Sequence, residues 1–110
     1  MNRFTKILAV IVLTSSTISV MPGIAQASSV IKAKANHSWS PSSLTVSKGT
    51  KVVWKNPTGV THTVTSTSSN WSKDTSLSAG SSTSFTFNKT GTFKFKCKIH
   101  AGMTGQVKVT

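Results

Sequence analysis

The residues best suited to chemistry lie in one short segment near the end of the chain. Cys97, the only cysteine in the sequence, is followed by His100 and then by Met103. Thiolate, imidazole and thioether are the donor types of a blue-copper electron-transfer site, which combines one thiolate and two imidazoles with a weak axial thioether. One imidazole is still missing from this set, and His37 and His62 are the two candidates for it.

The residues around Cys97 predict the strand that positions it. Apolar side chains alternate with lysines from Phe93 to Ile99, and this period of two is typical of a half-buried β-strand. The pattern places Cys97 on the inner face, with Ile99 following it on the same face. Gly102 and Gly105 then allow the loop that carries the other donors to turn tightly.

The remaining chain also reads as short strands separated by turns. After Ser28 no stretch carries an apolar repeat of helical period, and short β-rich runs with turn signals at about 8–12 residue spacing are typical of a β-sandwich or barrel. These runs cover residues 30–35, 44–46, 50–55, 60–65, 81–88 and 107–109. We expect residues 36–43 to form a loop or irregular edge. The polar segment 66–79 is expected to be anchored to the core by Trp71 and Leu77.

The two remaining histidines lie in different sequence contexts. His62 shares a predicted strand face with Val60 and Val64, so it is expected to point inward beside a Pro/Gly turn. His37 lies in an Asn/Ser/Trp/Pro loop without alternation, which predicts a surface residue or at most an adventitious metal site. Each donor taken alone has an ordinary alternative, because cysteine and methionine also serve as buried apolar residues. Zinc would bind such a donor set as well.

The N-terminal segment has the features of a secretory signal peptide. A basic start is followed by a short apolar stretch from Ile7 to Val20 and by the cleavage-type exit Ala25-Gln-Ala27. We therefore expect residues 1–27 to be removed after Ala27, and residues 28–110 to form an exported domain that is periplasmic or otherwise extracytoplasmic. An uncleaved membrane anchor is the alternative, but the apolar run is shorter than the roughly 20 residues that a spanning helix requires.

The predicted mature domain is small and strongly basic. Its 83 residues suffice for one domain and contain eleven lysines against a single acid, Asp74, which gives a formal charge of +10. One cysteine excludes an internal disulfide, and metal ligation would protect its thiol in an oxidising compartment. With one Asp and no Glu, the domain has almost no carboxylate for general acid–base chemistry, so we expect no enzyme activity and no catalytic residues.

Two segments resemble a known family, the small cupredoxins of the plastocyanin and amicyanin group. The run from Cys97 to Val109, CKIHAGMTGQVKV, resembles the ligand loop and last strand of these proteins. The run from Leu44 to Asn56, followed by Thr61-His62-Thr-Val, resembles the strand pair that ends in the first histidine ligand. The resemblance covers nearly the whole chain after about residue 38.

This resemblance implies an all-β, single-domain, cupredoxin-like Greek-key β-sandwich with one type 1 copper ion. Residue by residue, it implies that His62, Cys97 and His100 are the strong ligands and that Met103 is the axial one. Relatives often carry Asn after the first histidine, where it hydrogen-bonds near the cysteine sulfur. Here that position is Thr63, so the resemblance does not extend to this bond.

The predicted function is that of a small exported electron-transfer protein cycling between Cu(II) and Cu(I). His100 would be its electron port, and the outward lysines Lys94, Lys96, Lys98 and Lys108 would form one basic face that steers an acidic redox partner. We expect a monomer that has no specific nucleic-acid partner and meets membranes only through redox partners. The alternatives are a copper storage or delivery protein and a metal-free basic β-sandwich that binds anionic surface polymers.

Overall fold

The computed structural model describes residues 29–110, which form nine β-strands. They are β1 (Ser29–Lys34), β2 (Ser38–Ser40), β3 (Ser43–Val46), β4 (Thr50–Lys55), β5 (His62–Ser66), β6 (Asp74–Leu77), β7 (Ser82–Phe87), β8 (Gly91–Lys96) and β9 (Thr104–Val109). A four-stranded sheet has the order β2-β1-β4-β7, and a five-stranded sheet has the order β3-β9-β8-β5-β6. The prediction of an all-β sandwich is confirmed.

Each sheet combines antiparallel neighbours with one parallel pair. β1 runs parallel to β4, and β3 runs parallel to β9, whereas the other neighbouring strands are antiparallel. Because parallel neighbours cannot be joined by a tight hairpin, the strands of each parallel pair are separated in sequence by other strands, some of which lie in the opposite sheet. The pairing of Thr65 with Lys96 brings the start of β5 and the end of β8 to the same end of the sandwich. That end carries both His62 and Cys97.

The core lies between the inner faces of the two sheets and is rich in aromatic rings. Trp54 is fully buried at the centre, with ring centroids 5.5 Å from Phe95 and 6.1 Å from Trp71. Edge-to-face and offset contacts of this kind add to the hydrophobic stabilisation from area burial. Trp71 and Leu77 are buried, as predicted, so the polar segment between β5 and β7 is anchored at both positions.

Two predicted inward residues instead lie at the surface. Ile99 is 54% exposed, because β8 ends at Lys96 and the chain turns into the ligand loop one residue later. Val60 is 49% exposed, because the turn that follows β4 extends as far as Thr61 and β5 begins only at His62. In both places the alternation continues in the sequence beyond the point where strand pairing stops.

Two short strands were not predicted. The expected loop at residues 36–43 contains β2, which pairs with β1 and places Trp39 opposite Ala33. The polar segment 66–79 contains β6, which pairs with β5 and places Leu77 opposite His62. Both are edge strands, where one face is solvated and polar residues are tolerated, so their apolar pattern is weak.

The predicted signal peptide, residues 1–27, lies outside the described residues. Within residues 29–110 no helix is long and apolar enough to cross a membrane.

Candidate metal centre

The loop between β8 and β9 is closed by hydrogen bonds between its own two ends. The backbone N–H of Cys97 donates to the carbonyl oxygen of Met103 at 2.9 Å, and the N–H of Met103 donates to the carbonyl of His100 at 3.3 Å. Gly102 has a φ of +81°, which glycine adopts without steric cost. These bonds fold Cys97, His100 and Met103 into one compact turn.

Three predicted donors converge at this end of the sandwich. The ligand atoms of His62, Cys97 and His100 all lie within 4.8 Å of one another. The Cys97 Sγ lies 4.0 Å from Nδ1 of His62 and 3.5 Å from Nδ1 of His100. Both imidazoles therefore direct the same ring nitrogen towards the thiol, one from β5 and the other from the ligand loop.

Met103, the fourth predicted donor, is buried beside the core. It is 1% exposed, and its carbonyl oxygen accepts a second hydrogen bond, from the indole Nε1–H of Trp39 at 3.3 Å. Trp39 belongs to β2 in the other sheet, so this bond joins the ligand loop to the opposite layer of the sandwich. The loop is thus held at its C-terminal end from outside as well as by its own backbone.

The Cys97 sulfur lies in an almost dry environment with one backbone donor. Cys97 is 3% exposed, and the N–H of Thr63 points at its Sγ over 3.3 Å. The Thr63 hydroxyl oxygen instead accepts the backbone N–H of Lys98 at 2.8 Å. The hydrogen bond to sulfur therefore comes from the main chain, so it does not require an Asn side chain at position 63, while the side chain fixes the residue after Cys97.

His62 is fully buried and is held through its second ring nitrogen. Nε2 lies 3.0 Å from the hydroxyl oxygen of Thr58. That hydroxyl also lies 2.6 Å from the side-chain carbonyl of Asn56, which can only accept a hydrogen bond. The hydroxyl hydrogen is therefore directed at Asn56, and the Thr58 oxygen accepts from Nε2–H of His62. This arrangement leaves the lone pair of Nδ1 free to bind a metal, as the hydrogen-bond partners of ligating histidines do in metal sites.

Asn56 organises the turn that carries His62, a role for which sequence reasoning found no sign. Its side chain is 1% exposed. The amide nitrogen donates to the carbonyls of Val60 at 2.7 Å and Leu77 at 2.9 Å, and the amide oxygen accepts from the N–H of Thr58 at 3.0 Å. One buried side chain thus connects the β4–β5 turn to the end of β6.

The electrostatics of the centre favour neutral imidazole at His62. Burial is the main cause that lowers the pKa of His62, and the neighbouring His100 and His37 lower the pKa further. A neutral imidazole keeps the lone pair that metal binding requires, whereas an imidazolium does not.

His37 lies beside the centre, not at a remote surface. Its ring stacks on that of His100 with centroids 3.9 Å apart and planes inclined by 23°, and its centroid lies 6.3 Å from that of His62. It is not part of the donor group formed by His62, Cys97 and His100. The prediction that His37 is an exposed residue is confirmed, but its contact with His100 had no signal in the sequence.

The donor set fits a copper ion in chemical type. One buried thiol, two imidazoles and a buried thioether combine the soft sulfur that Cu(I) prefers with the nitrogen that Cu(II) prefers. Magnesium and calcium require oxygen ligands, and no carboxylate belongs to this group in the described part of the chain. The arrangement of His62, Cys97, His100 and Met103 matches a type 1 copper site.

The comparison with protein families decides between copper and the other metals that such donors bind. The model of the copper-binding proteins of the plastocyanin/azurin family matches residues 25–110. The chain belongs to this family. The predicted resemblance and the copper cofactor are thereby confirmed. Among curated protein sequences, none is significantly similar to this cupredoxin.

Solved structures agree with this assignment. A purple cupredoxin from Nitrosopumilus maritimus is 26% identical, with a TM-score of 0.68 over 74% of this chain and 99% of the other. A point mutant of amicyanin in its reduced state is 25% identical, with a TM-score of 0.70 over 80% of this chain and 87% of the other. A copper-containing nitrite reductase from Thermus scotoductus is 22% identical over 76% of this chain and 22% of its own, with a TM-score of 0.68, and shares the fold.

Proposed function

We propose that this cupredoxin is an electron carrier in which His62, Cys97 and His100 are the strong copper ligands and Met103 is the axial one. The observation that supports this most directly is the convergence of two Nδ1 atoms on the Cys97 sulfur. Copper held by these four residues would supply one-electron chemistry between its Cu(II) and Cu(I) states. The four donors leave no open position of the kind that a catalytic metal keeps, so we propose a carrier and not an enzyme.

The chain's own residues limit how far the donors can move. His62 is fixed by Thr58, the Cys97 sulfur accepts the Thr63 N–H, and Met103 is tied to Cys97 through the backbone. A site whose donors are held in place by buried hydrogen bonds needs little rearrangement when its charge changes. This is the property that fast electron exchange requires, and it favours a carrier over a storage protein with labile copper.

His100 is proposed as the electron port. Its side chain is half-buried, whereas Ile99, Ala101 and Gly102 around it are exposed. The imidazole therefore reaches the surface beside three uncharged residues that a partner could cover. The other three donors are buried, so His100 is the only one of the four that offers a short path to solvent.

The docking partner is proposed to be an acidic redox protein. Lys94 and Lys96 on β8 and Lys108 on β9 are exposed on the outer face of the five-stranded sheet, where register places Lys94 opposite Gln106 and Lys108 opposite Thr92. The one acid of the sequence, Asp74, is paired with Lys98 at 2.9 Å, and this hydrogen bond lowers the Asp74 pKa. Long-range attraction to a negative partner would raise the association rate.

We also propose export, because the predicted signal peptide and the single buried thiol suit a periplasmic or other extracytoplasmic location. Delivery or storage of copper by the same donors remains the rival function. The metal-free polymer-binding alternative loses its support, since the chain belongs to a copper-binding family.

Electron self-exchange between the Cu(I) and Cu(II) forms, measured by NMR line broadening, tests the carrier function. We expect Ala101→Asp to slow exchange about tenfold while the visible spectrum is kept, because a charge in a contact rim costs about 1–2 kcal/mol. Asn88→Asp is the matched control: it makes the same charge change in the turn before β8, at the far end of that strand from Cys97. Slow exchange in the unmodified protein, with rapid loss of Cu(I) to a chelator, would instead indicate delivery.

Oxidation by a small anionic reagent tests steering by the basic face. With hexacyanoferrate(III) standing in for an acidic partner, oxidation of the Cu(I) form should slow as salt is added. Lys96→Gln with Lys108→Gln should weaken this salt dependence more than Lys32→Gln with Lys51→Gln, which removes the same charge from the other sheet. Equal effects of the two pairs would refute a dedicated face.

A further inference from the structure

We propose that His37 is a positioning residue that holds the imidazole of His100 by ring stacking. The two rings lie 3.9 Å apart at 23°, closer to parallel than the other ring contacts of the centre. Stacked aromatic rings attract each other beyond the effect of buried area alone. The proposal deepens the electron-port function proposed above, on which it rests, by naming a residue outside the donor set that fixes the port.

The backbone at His37 is adapted to this position. The residue lies in the turn between β1 and β2 with a φ of +60°, a left-handed conformation that residues other than glycine adopt infrequently. Its N–H donates to the carbonyl of Lys34 at 3.0 Å, which closes the turn. Histidine is, with asparagine and aspartate, among the residues enriched in this conformation, so the turn tolerates a histidine whose ring can then contact His100.

A second contact from the same hairpin supports the ligand loop. Trp39 follows His37 by two positions, and its indole donates to the carbonyl of Met103. His37 and Trp39 thus contact the two ends of the segment from His100 to Met103, which contains Gly102 and an exposed Ala101. The β1–β2 hairpin thus contacts this segment at both ends from the opposite sheet.

The stacked geometry favours positioning over ligation by His37. The lone pair of an imidazole lies in the plane of its ring, so two nearly parallel stacked rings direct their nitrogens side by side and not towards a common ion. In agreement, the donor group contains His62, Cys97 and His100 without His37. The ring of His37 would therefore cover one face of His100 and restrict its rotation.

Two variants separate the ring from the turn. His37→Asn removes the ring and keeps a residue that tolerates a left-handed backbone, whereas His37→Phe keeps an aromatic ring and removes both nitrogens. Ala35→Asn, an exposed change in the same turn, is the control. Backbone NMR spectra of all four proteins establish that they are folded.

In the metal-free protein, the ring protons of His100 should lose their ring-current shift and show faster side-chain motion in His37→Asn, and recover in His37→Phe. In the copper-loaded protein, copper release to a chelator should be about two- to tenfold faster in His37→Asn and near normal in His37→Phe. If His37→Asn matches the Ala35→Asn control in both measurements, the stack has no positioning role. If His37→Phe changes the His100 ring signals and the rate of copper release as much as His37→Asn does, a nitrogen of His37 is required, which also overturns the proposal. The NMR measurement on the metal-free protein tests the stacking independently of electron exchange, so it distinguishes a failure of this proposal from a failure of the carrier function.

Discussion

The two histidines of the metal centre are held in different ways. His62 is fully buried, begins a strand, and is fixed by a hydrogen bond from its second ring nitrogen to Thr58, which Asn56 orients in turn. His100 is half-buried on a loop and is contacted from outside by the stacked ring of His37. A buried hydrogen-bond network resists movement strongly, because breaking it leaves polar groups without partners. A stacked pair at the surface is weaker and more open to change.

Because of this difference, we expect the His62 side and the His100 side of the centre to have separate roles. The His62 side serves as the rigid frame, built from the β4–β5 turn and the end of β6. In the proposed function, the His100 side would be the accessible port, where a partner would approach. Changes on the frame side should therefore affect stability and metal affinity most, and changes on the port side should affect exchange rates most.

The largest effect should follow from removing the centre of the frame. Asn56→Ala would remove the side-chain partner of the buried carbonyl of Leu77, of the partly buried carbonyl of Val60 and of the N–H of Thr58, so we expect a loss of about 3 kcal/mol in the free energy of unfolding. Urea denaturation of the metal-free protein measures it. Asn70→Ala, which removes an exposed amide bonded to the carbonyl of Thr92, is the control and should cost less than about 1 kcal/mol. Equal losses of stability in the two variants would show that the buried Asn56 contributes no more than an exposed asparagine.

A smaller effect should follow from removing the Thr58 hydroxyl, which bonds both His62 and Asn56. Thr58→Val keeps the shape of the side chain and removes the oxygen that accepts from Nε2–H, so copper affinity should fall about 10- to 100-fold with little change in exchange rate. Competition with a chelator of known affinity measures this. Thr61→Val, the same change at the exposed residue next to His62, should leave affinity nearly unchanged. If Thr58→Val instead slows electron exchange and leaves copper affinity unchanged, the His62 side is not the part of the centre that determines metal affinity.

The parts of the centre that sequence alone predicted are those with a local signal. Cys97, His100 and Met103 lie within one loop, and the strand before them has clear alternation. The inward orientation of His62 could also be predicted from strand alternation, although Val60, on the same predicted face, proved exposed. The candidate donors could be predicted because their residue types are chemically distinctive.

The residues that position the donors could not be predicted, because their roles depend on distant contacts. Asn56 reads as part of an Asn-Pro-Thr-Gly turn, and its burial depends on the carbonyl of Leu77, 21 residues later. The ring of His37 meets a histidine from the opposite sheet's loop, and Trp39 bonds a carbonyl 64 residues away. Hydrogen bonds and stacking of this kind leave no periodic trace in the sequence.

The most direct test of the whole account is the optical and EPR spectrum of the protein with one equivalent of Cu(II), beside Cys97→Ser. A copper ion bound by Cys97 should give an intense visible thiolate-to-copper band and a small copper hyperfine splitting, both absent in Cys97→Ser, since serine removes the sulfur to which both imidazoles are directed. A pale product whose spectrum is the same with and without Cys97 would contradict the proposed ligands and the electron-carrier function together.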